Sequence, residues 1–381
     1  MNKYLSVVPL VIPFFLTFSC RKQVHVERIM EDGVEVVINH LEPYKVRDQL
    51  SILDLEREIT IDTENDEIIE TGLVDIETFD IDEEGHIYII LWASNDDFVF
   101  KFNNQGQFEK SFVRRGQGPG EINWGGSVRY TGNNRLKIKD PSKTKYSVFN
   151  TEGEFLEDVQ LNTRVSILKE FSNGKLFIFW QDHSLNKEKI VNHLGLSDQG
   201  LENIEEFYSC SFPDITVVEK AYAPGNFWVE GTSENLIFVG NVEMGYEILV
   251  FDLEGNLVRK IRKKHTPVEL TEAYISTFLE RRKRSSYTSK YELRKNFPPF
   301  QYLFTDEEGR LFVMTYEKGL SANEWIFDIF TPDGIFIGKV SIESRIDTEQ
   351  ISIKVKDSRL YSVSEKESGY KELVVYKMKW E

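Results

Sequence analysis

Few residues in this chain stand out for chemistry, and those that do fall into three groups. Arg114 and Arg115 precede the run Gly116-Gln-Gly-Pro-Gly-Glu121 and stand against an acidic background. A guanidinium pair grips a carboxylate or sulfate bidentately, or pairs with a local Asp or Glu. Backbone N–H groups of the glycine run could cradle an anion, and Glu121 closes the phrase. It lacks the Lys-Ser/Thr ending and following helix of a nucleotide-binding loop, so a tight structural turn is the better reading. Trp92, Trp124 and Trp180 form the second group: rings near a surface stack on sugars or pack between elements. Asp182-His183 is the third, a dipeptide able to act as an acid/base pair or simply an exposed loop pair.

Catalytic templates are otherwise missing. The chain has no Gly-x-Ser-x-Gly elbow, His-Glu-x-x-His, Cys-x-x-Cys or phosphate-loop phrase. With six histidines, a multi-histidine metal site is not expected. Glu121, Glu230 and Asp75 lie close to predicted inner strands, but no spacing joins them. A net charge of −17 argues against nucleic acid, which requires a basic footprint.

The elements that must hold these residues are written in a repeat. An aromatic-polar-x-x-Gly-x-apolar turn recurs as Phe102 to Phe108, Phe149 to Phe155, Phe251 to Leu257 and Phe330 to Phe336, with a weaker copy at Leu196 to Leu201. Each lies between runs of period two, as a β-hairpin requires. A second hairpin signal precedes it in each unit, as in Asp82-Glu-Glu-Gly85-His-Ile-Tyr-Ile-Ile and Asp306-Glu-Glu-Gly309-Arg-Leu-Phe-Val. The unit is therefore four strands (a, b, c, d), and six units predict an all-β six-bladed propeller of four-stranded antiparallel blades. The last unit lacks its outer strand. An unpaired edge would remain unless the N-terminal part supplied it. Leu55 to Ile61 is expected to do so, in preference to Val34 to Ile38, because it lies one connection before the first inner strand. Trp325 and Trp380, within strands, are expected in the core.

An excess of residues at 263–299 is read as a helical insertion before the fifth blade. Thr266-Pro-Val-Glu269 has the form of a capping box, followed by Leu270, Tyr274 and Phe278 on one face. The Arg281–Arg284 run falls at the expected end of that helix, where positive charge complements the dipole. Residues 1–19 read as a lipoprotein signal peptide: Lys3, an apolar stretch, then Leu16-Thr-Phe-Ser-Cys20, with Cys20 the residue to be lipidated. Residues 20–50 then form a tether with an extra strand, and 51–381 the propeller.

Cys20, the recurrent turn units and the phrase Arg114-Arg-Gly-Gln-Gly-Pro-Gly-Glu121 together resemble the six-bladed β-propeller lipoproteins of Gram-negative bacteria, related in pattern to NHL-repeat propellers. The helical insertion ending Phe297-Pro-Pro-Phe300 fits the same resemblance, while Ile122 replaces a Phe common in that family. The resemblance implies fold and location: export, with a lipid anchor in the cell envelope, expected at the outer membrane. It implies no activity.

In such a blade the a–b and c–d turns share one face, and the longer b–c and d–a connections share the other. Binding residues favour long loops on a rigid scaffold. The expected site is therefore the loop-rich face around the channel mouth, built from Trp92, Arg114, Arg115, Glu121, Trp124, Trp180, Asp182 and His183. The expected function is binding of a glycan or an envelope partner protein by a monomeric propeller, with no cofactor. The alternatives are a calcium-dependent hydrolase or lyase, lactonase-like, with carboxylates in the channel, and a purely structural envelope subunit.

Overall fold

In a computed structural model the chain is described at residues 26–45, 51–160, 165–183, 189–214, 220–223, 228–283, 290–321, 323–344 and 353–381. Six antiparallel blades follow one another. Blade 1 comprises Thr78–Ile81, Ile87–Ile90, Asp97–Phe102 and Phe108–Arg114, and blade 2 Ser127–Tyr130, Arg135–Lys139, Lys145–Asn150 and Phe155–Gln160. Blade 3 comprises Ser166–Glu170, Leu176–His183, Lys189–Ser197 and Ile204–Pro213, and blade 4 Trp228–Thr232, Leu236–Asn241, Glu247–Asp252 and Leu257–Lys263. Blade 5 comprises Tyr302–Thr305, Leu311–Lys318, Glu324–Phe330 and Phe336–Glu343. Blade 6 takes Ile353–Lys356, Arg359–Glu365 and Lys371–Trp380 from the C-terminus and closes with Leu53–Asp62.

That closing strand runs antiparallel to Lys371–Trp380, with Ile61 opposite Leu373 and Leu53 opposite Trp380. Backbone hydrogen bonds in both directions between Ile52 and Glu381 finish the seam. The last blade thus has no open edge on its C-terminal strand. Val34–Asn39 instead lies parallel to Leu257–Lys263 and, with Glu27–Glu31, extends blade 4 to six strands. Asn39, 2 % exposed, fixes this addition: its amide donates to the Gly334 carbonyl at 2.9 Å and accepts from the Phe336 N–H at 2.8 Å.

The turn phrase has a double structural cause. Gly106, Gly153, Gly255 and Gly334 sit at φ between 79° and 84°, and in each hairpin the register shifts where Phe102, Phe149, Phe251 or Phe330 pairs across the turn, two residues of the outer strand facing one. A left-handed residue followed by a bulge matches the twist of the flanking strands. Each glycine also abuts the outer strand of the preceding blade, so that an added Cβ would fall 2.4 Å from Ile59, 2.7 Å from Phe112, 3.0 Å from Phe207 and 2.8 Å from Ile261, respectively. The weak copy differs: there Leu201 takes the positive φ and Gly200 does not.

The core lies between blades. Apolar clusters join blades 1 and 2 around Tyr88 and Leu136, blades 3 and 4 around Phe177 and Ile237, and blades 4 and 5 around Phe238 and Leu303. Others join blades 5 and 6 around Phe327 and Leu360, and blades 6 and 1 around Tyr361 and Phe79. Trp325 and Trp380 are half-buried rather than fully so. Lys318 lies 3.1 Å from the centre of the first ring and Arg310 4.0 Å from that of the second, cations that hold the rings partly at the surface.

The insertion carries a helix at Glu272–Lys283, later than the capping-box phrase implies. Residues 268–270 are held extended, with Glu269 bridged to Asn296, Leu270 bonded to the Lys295 carbonyl and the Phe297 N–H bonded to the Val268 carbonyl. That pairing excludes helix there, and Thr271 caps instead, its hydroxyl accepting from the Tyr274 N–H. Phe297 stacks on Tyr316 at 4.4 Å and so ties the insertion to blade 5. Residue 284 lies outside the described residues.

Candidate functional site

The inner strands surround a cavity of about 900 Å³. Its lining comes from the last residues of the six a strands and from the a–b turns at Glu83, Gly132, Asn133, Ser172 and Gly174, so it opens on the hairpin face. These turns are too short to cover the mouth. None of the eight residues singled out from the sequence lines it, because they lie in b–c loops and d–a connections, at the end of the fourth strand of blade 1, or in the second strand of blade 3.

Each blade contributes ionisable or hydroxyl side chains to the lining, among them Asp80, Arg129, Lys169, Glu230, Tyr302 and Lys354 from the inner strands, with Glu83, Glu170 and Lys356 nearer the turns. Side-chain alternation along each strand places the first six there, with Asp80, Arg129, Lys169 and Lys354 standing two residues before the start of their hairpin turn. Lys354 is neutralised: its ammonium lies 2.6 Å from Asp80, which also accepts the Tyr130 N–H at 2.7 Å. Arg129 and Lys169, from adjacent blades, have no ion-pair or side-chain hydrogen-bond partner among the described residues.

Confinement shapes their protonation. The Lys169 surface faces the lumen, and burial, then the charges of Arg129 and Lys354, lower its pKa. Burial pushes the Glu230 carboxyl up to about 7, without a countering cation. Burial and then the Glu230 charge raise the Tyr302 hydroxyl pKa, which keeps it a neutral donor. Among the described residues no three Asp, Glu, His or Cys side chains converge as a metal cage.

The eight sequence-derived residues are distributed over the opposite face and the side. Trp92 and Trp124 come together, stacked with centres 5.8 Å apart and 44 % and 39 % exposed. The carbonyl of Trp92 accepts the Gly125 N–H and fixes the two loops. Arg114 ends its strand exposed, and Arg115 reaches Asn95 at 3.4 Å rather than a carboxylate. Glu121 folds back into the glycine run and accepts the Gly118 N–H at 2.8 Å, so the chain's own carboxylate fills the cradle. Lys143 ties the loop down by donating to the Glu121 carbonyl at 2.6 Å.

Trp180 stacks on His193 at 5.0 Å, an alignment that spacing did not reveal because it arises across strands. His193 lies between Glu206, 2.8 Å from Nδ1, and Asp182, 3.5 Å from Nε2. His183 points to the other side of its strand, 3.4 Å from Asp214. Asp182 and His183 therefore do not act as one pair. Asp75 meets Lys371 at 2.6 Å. Cys20 lies outside the described residues.

No curated protein matches the chain. Among solved structures, a member of the DUF4221 family from Bacteroides vulgatus is 12% identical with a TM-score of 0.50, over 87% of this chain and 99% of that one. A candidate exported protein from Bacteroides fragilis is 14% identical with a TM-score of 0.49, over 90% and 99%. Virginiamycin B lyase from Staphylococcus aureus is 9% identical with a TM-score of 0.44, over 85% and 99%. At these identities the first likeness concerns the fold, and the other two carry no argument. Residues 31–223, just over half of the chain, match a family model described as a six-bladed β-propeller; the protein belongs to that family, DUF5128.

Proposed function

We propose that the protein is an exported, lipid-anchored envelope binding protein whose ligand, a glycan or a segment of a partner protein, enters the central channel from the hairpin face. The observation that carries this reading is the polar cavity of about 900 Å³ with two unpartnered cations on its wall. That size suits a ligand of several rings, and rigid walls with a few placed polar groups are what small-ligand sites require. Signal-like residues 1–19 and Cys20 support the location. The stacked, exposed Trp92–Trp124 pair favours a second reading, a sugar-stacking platform on the opposite face.

Thermal melting with a panel of glycans and peptides tests the channel reading. A ligand present at 100 times its Kd adds about 2.7 kcal/mol. The expected shift of a few degrees disappears when Thr232, on the channel wall, is replaced by Trp; persistence of the shift refutes the channel. If the shift is lost instead on Trp92→Ala, the platform holds the ligand. The calcium-dependent enzyme is the rival: a fall in melting temperature with chelator shows a bound ion, and turnover of a lactone or ester is then needed to establish it.

A further inference from the structure

Arg129 and Lys169 stand on neighbouring blades, both unpartnered, in a chain of net charge −17 that had many carboxylates to spare. Both are solvent-exposed on the lumen wall, yet the charge of Arg129 acts against that of Lys169, and two like charges without a counter-ion repel. Such an arrangement is sustained where an anion completes it, and a guanidinium beside an ammonium suits an oxyanion. The carboxylates of the lining do not serve: Asp80 is taken by Lys354 at 2.6 Å and Glu170 by Lys137 at 3.0 Å, and neither Glu83 nor Glu230 contacts either cation.

The next two blades present different chemistry. Glu230 offers acceptor oxygens without a side-chain donor, and Tyr302 beside it offers a neutral hydroxyl. A ligand that satisfied the whole ring would carry one anionic group and several hydroxyls. A cavity of about 900 Å³ leaves room for far more than a free ion. We propose that the channel binds an acidic saccharide, its carboxylate or sulfate on Arg129 and Lys169 and its ring hydroxyls on Glu230 and Tyr302. The inference rests on the channel reading above. An acidic peptide would supply the anion, but its amides and apolar side chains answer less well to a wall on which the Glu230 carboxyl and the Tyr302 phenol stand together.

Calorimetry on the full-length chain in detergent tests this with four probes: a tetragalacturonate, a sulfated heparin tetrasaccharide, neutral cellotetraose and tetraglutamate. One acidic saccharide is expected to bind, more weakly as salt rises, and cellotetraose not at all. Arg129→Met and Lys169→Met should each weaken binding about 10- to 100-fold. Both variants should melt at or above the parent temperature, because each removes an unpaired charge, so lost binding cannot be ascribed to unfolding. The carboxylate and sulfate probes distinguish the two anion types. Cellotetraose binding that Thr232→Trp blocks overturns the charge assignment and leaves the channel reading standing. Acidic-probe binding that survives Thr232→Trp overturns both. Preference for tetraglutamate, or no binding by any probe, overturns the saccharide.

Discussion

Glu230 is the residue whose behaviour the channel environment controls most directly. Its carboxyl has an ordinary value of 4.5 and is pushed up to about 7 by burial, with the Tyr302 hydroxyl beside it and Arg129, Lys169, Lys354 and Asp80 around the ring. The folded chain therefore binds this proton more tightly than the unfolded chain does. Its contribution to stability is complete below pH 4.5 and is lost as the pH rises to about 7. At about 1.4 kcal/mol per pKa unit the loss has an upper limit of about 3 kcal/mol, reduced by the side chain's partial contact with the lumen. Glu230→Gln should melt like the parent at pH 4.5 and above it at pH 8; equal melting at both values would show that the carboxyl is solvated. An acidic ligand on Arg129 and Lys169 adds negative charge to the same ring and should steepen the pH dependence further. No local motif announced this ring. Its members are separated by whole blades, and only their shared offset from the hairpin turns, visible once the turns are aligned, marks Asp80, Arg129, Lys169 and Lys354 as equivalent.

At the scale of the elements, the repeat is legible because one residue type meets two demands. Gly153 has φ of 80°, and its Cβ position lies 2.7 Å from Phe112 of the neighbouring blade. Gly369 has φ of 85° with nothing within 4 Å of the same position. Alanine at either site meets the left-handed penalty of about 1–2 kcal/mol. Only at position 153 does it also force the blades apart, for a total of about 2–4 kcal/mol. Denaturant unfolding of Gly153→Ala and Gly369→Ala should separate the two terms, and equal losses would mean that the interblade contact yields. This double constraint explains why period, blade count and closing strand could be read from residue types. The insertion was less legible. Thr266, Pro267 and Glu269 satisfy a local capping rule, yet pairing of residues 268–270 with 295–297 overrides it. The register that brings Trp180 over His193 is likewise set by strand pairing, which single-strand spacing does not encode.

For the molecule as a whole, closure and attachment meet at the N-terminal segment. Leu53–Asp62 completes blade 6, while Glu27–Glu31 and Val34–Asn39 lengthen blade 4, so the same chain end seals one blade and extends another. Arg262 binds Glu31 through both oxygens, at 2.6 and 2.7 Å, and Arg259 pairs with Glu35 at 2.7 Å, securing the added hairpin to the propeller. Val26 follows Cys20 by six residue steps, a reach of about 20 Å at full extension. A lipid on Cys20 would thus hold the outer edge of blade 4 close to the bilayer, where Met30 is 67 % exposed. The channel is bounded by inner strands, five strands inward from that edge, so a lipid there would not reach it. Cys20→Ser should therefore move the protein from the membrane fraction to the soluble fraction without changing its melting temperature or its affinity in the channel. A variant that remains membrane-bound refutes anchoring at this cysteine; one that is released but loses affinity would show that the membrane itself forms part of the site.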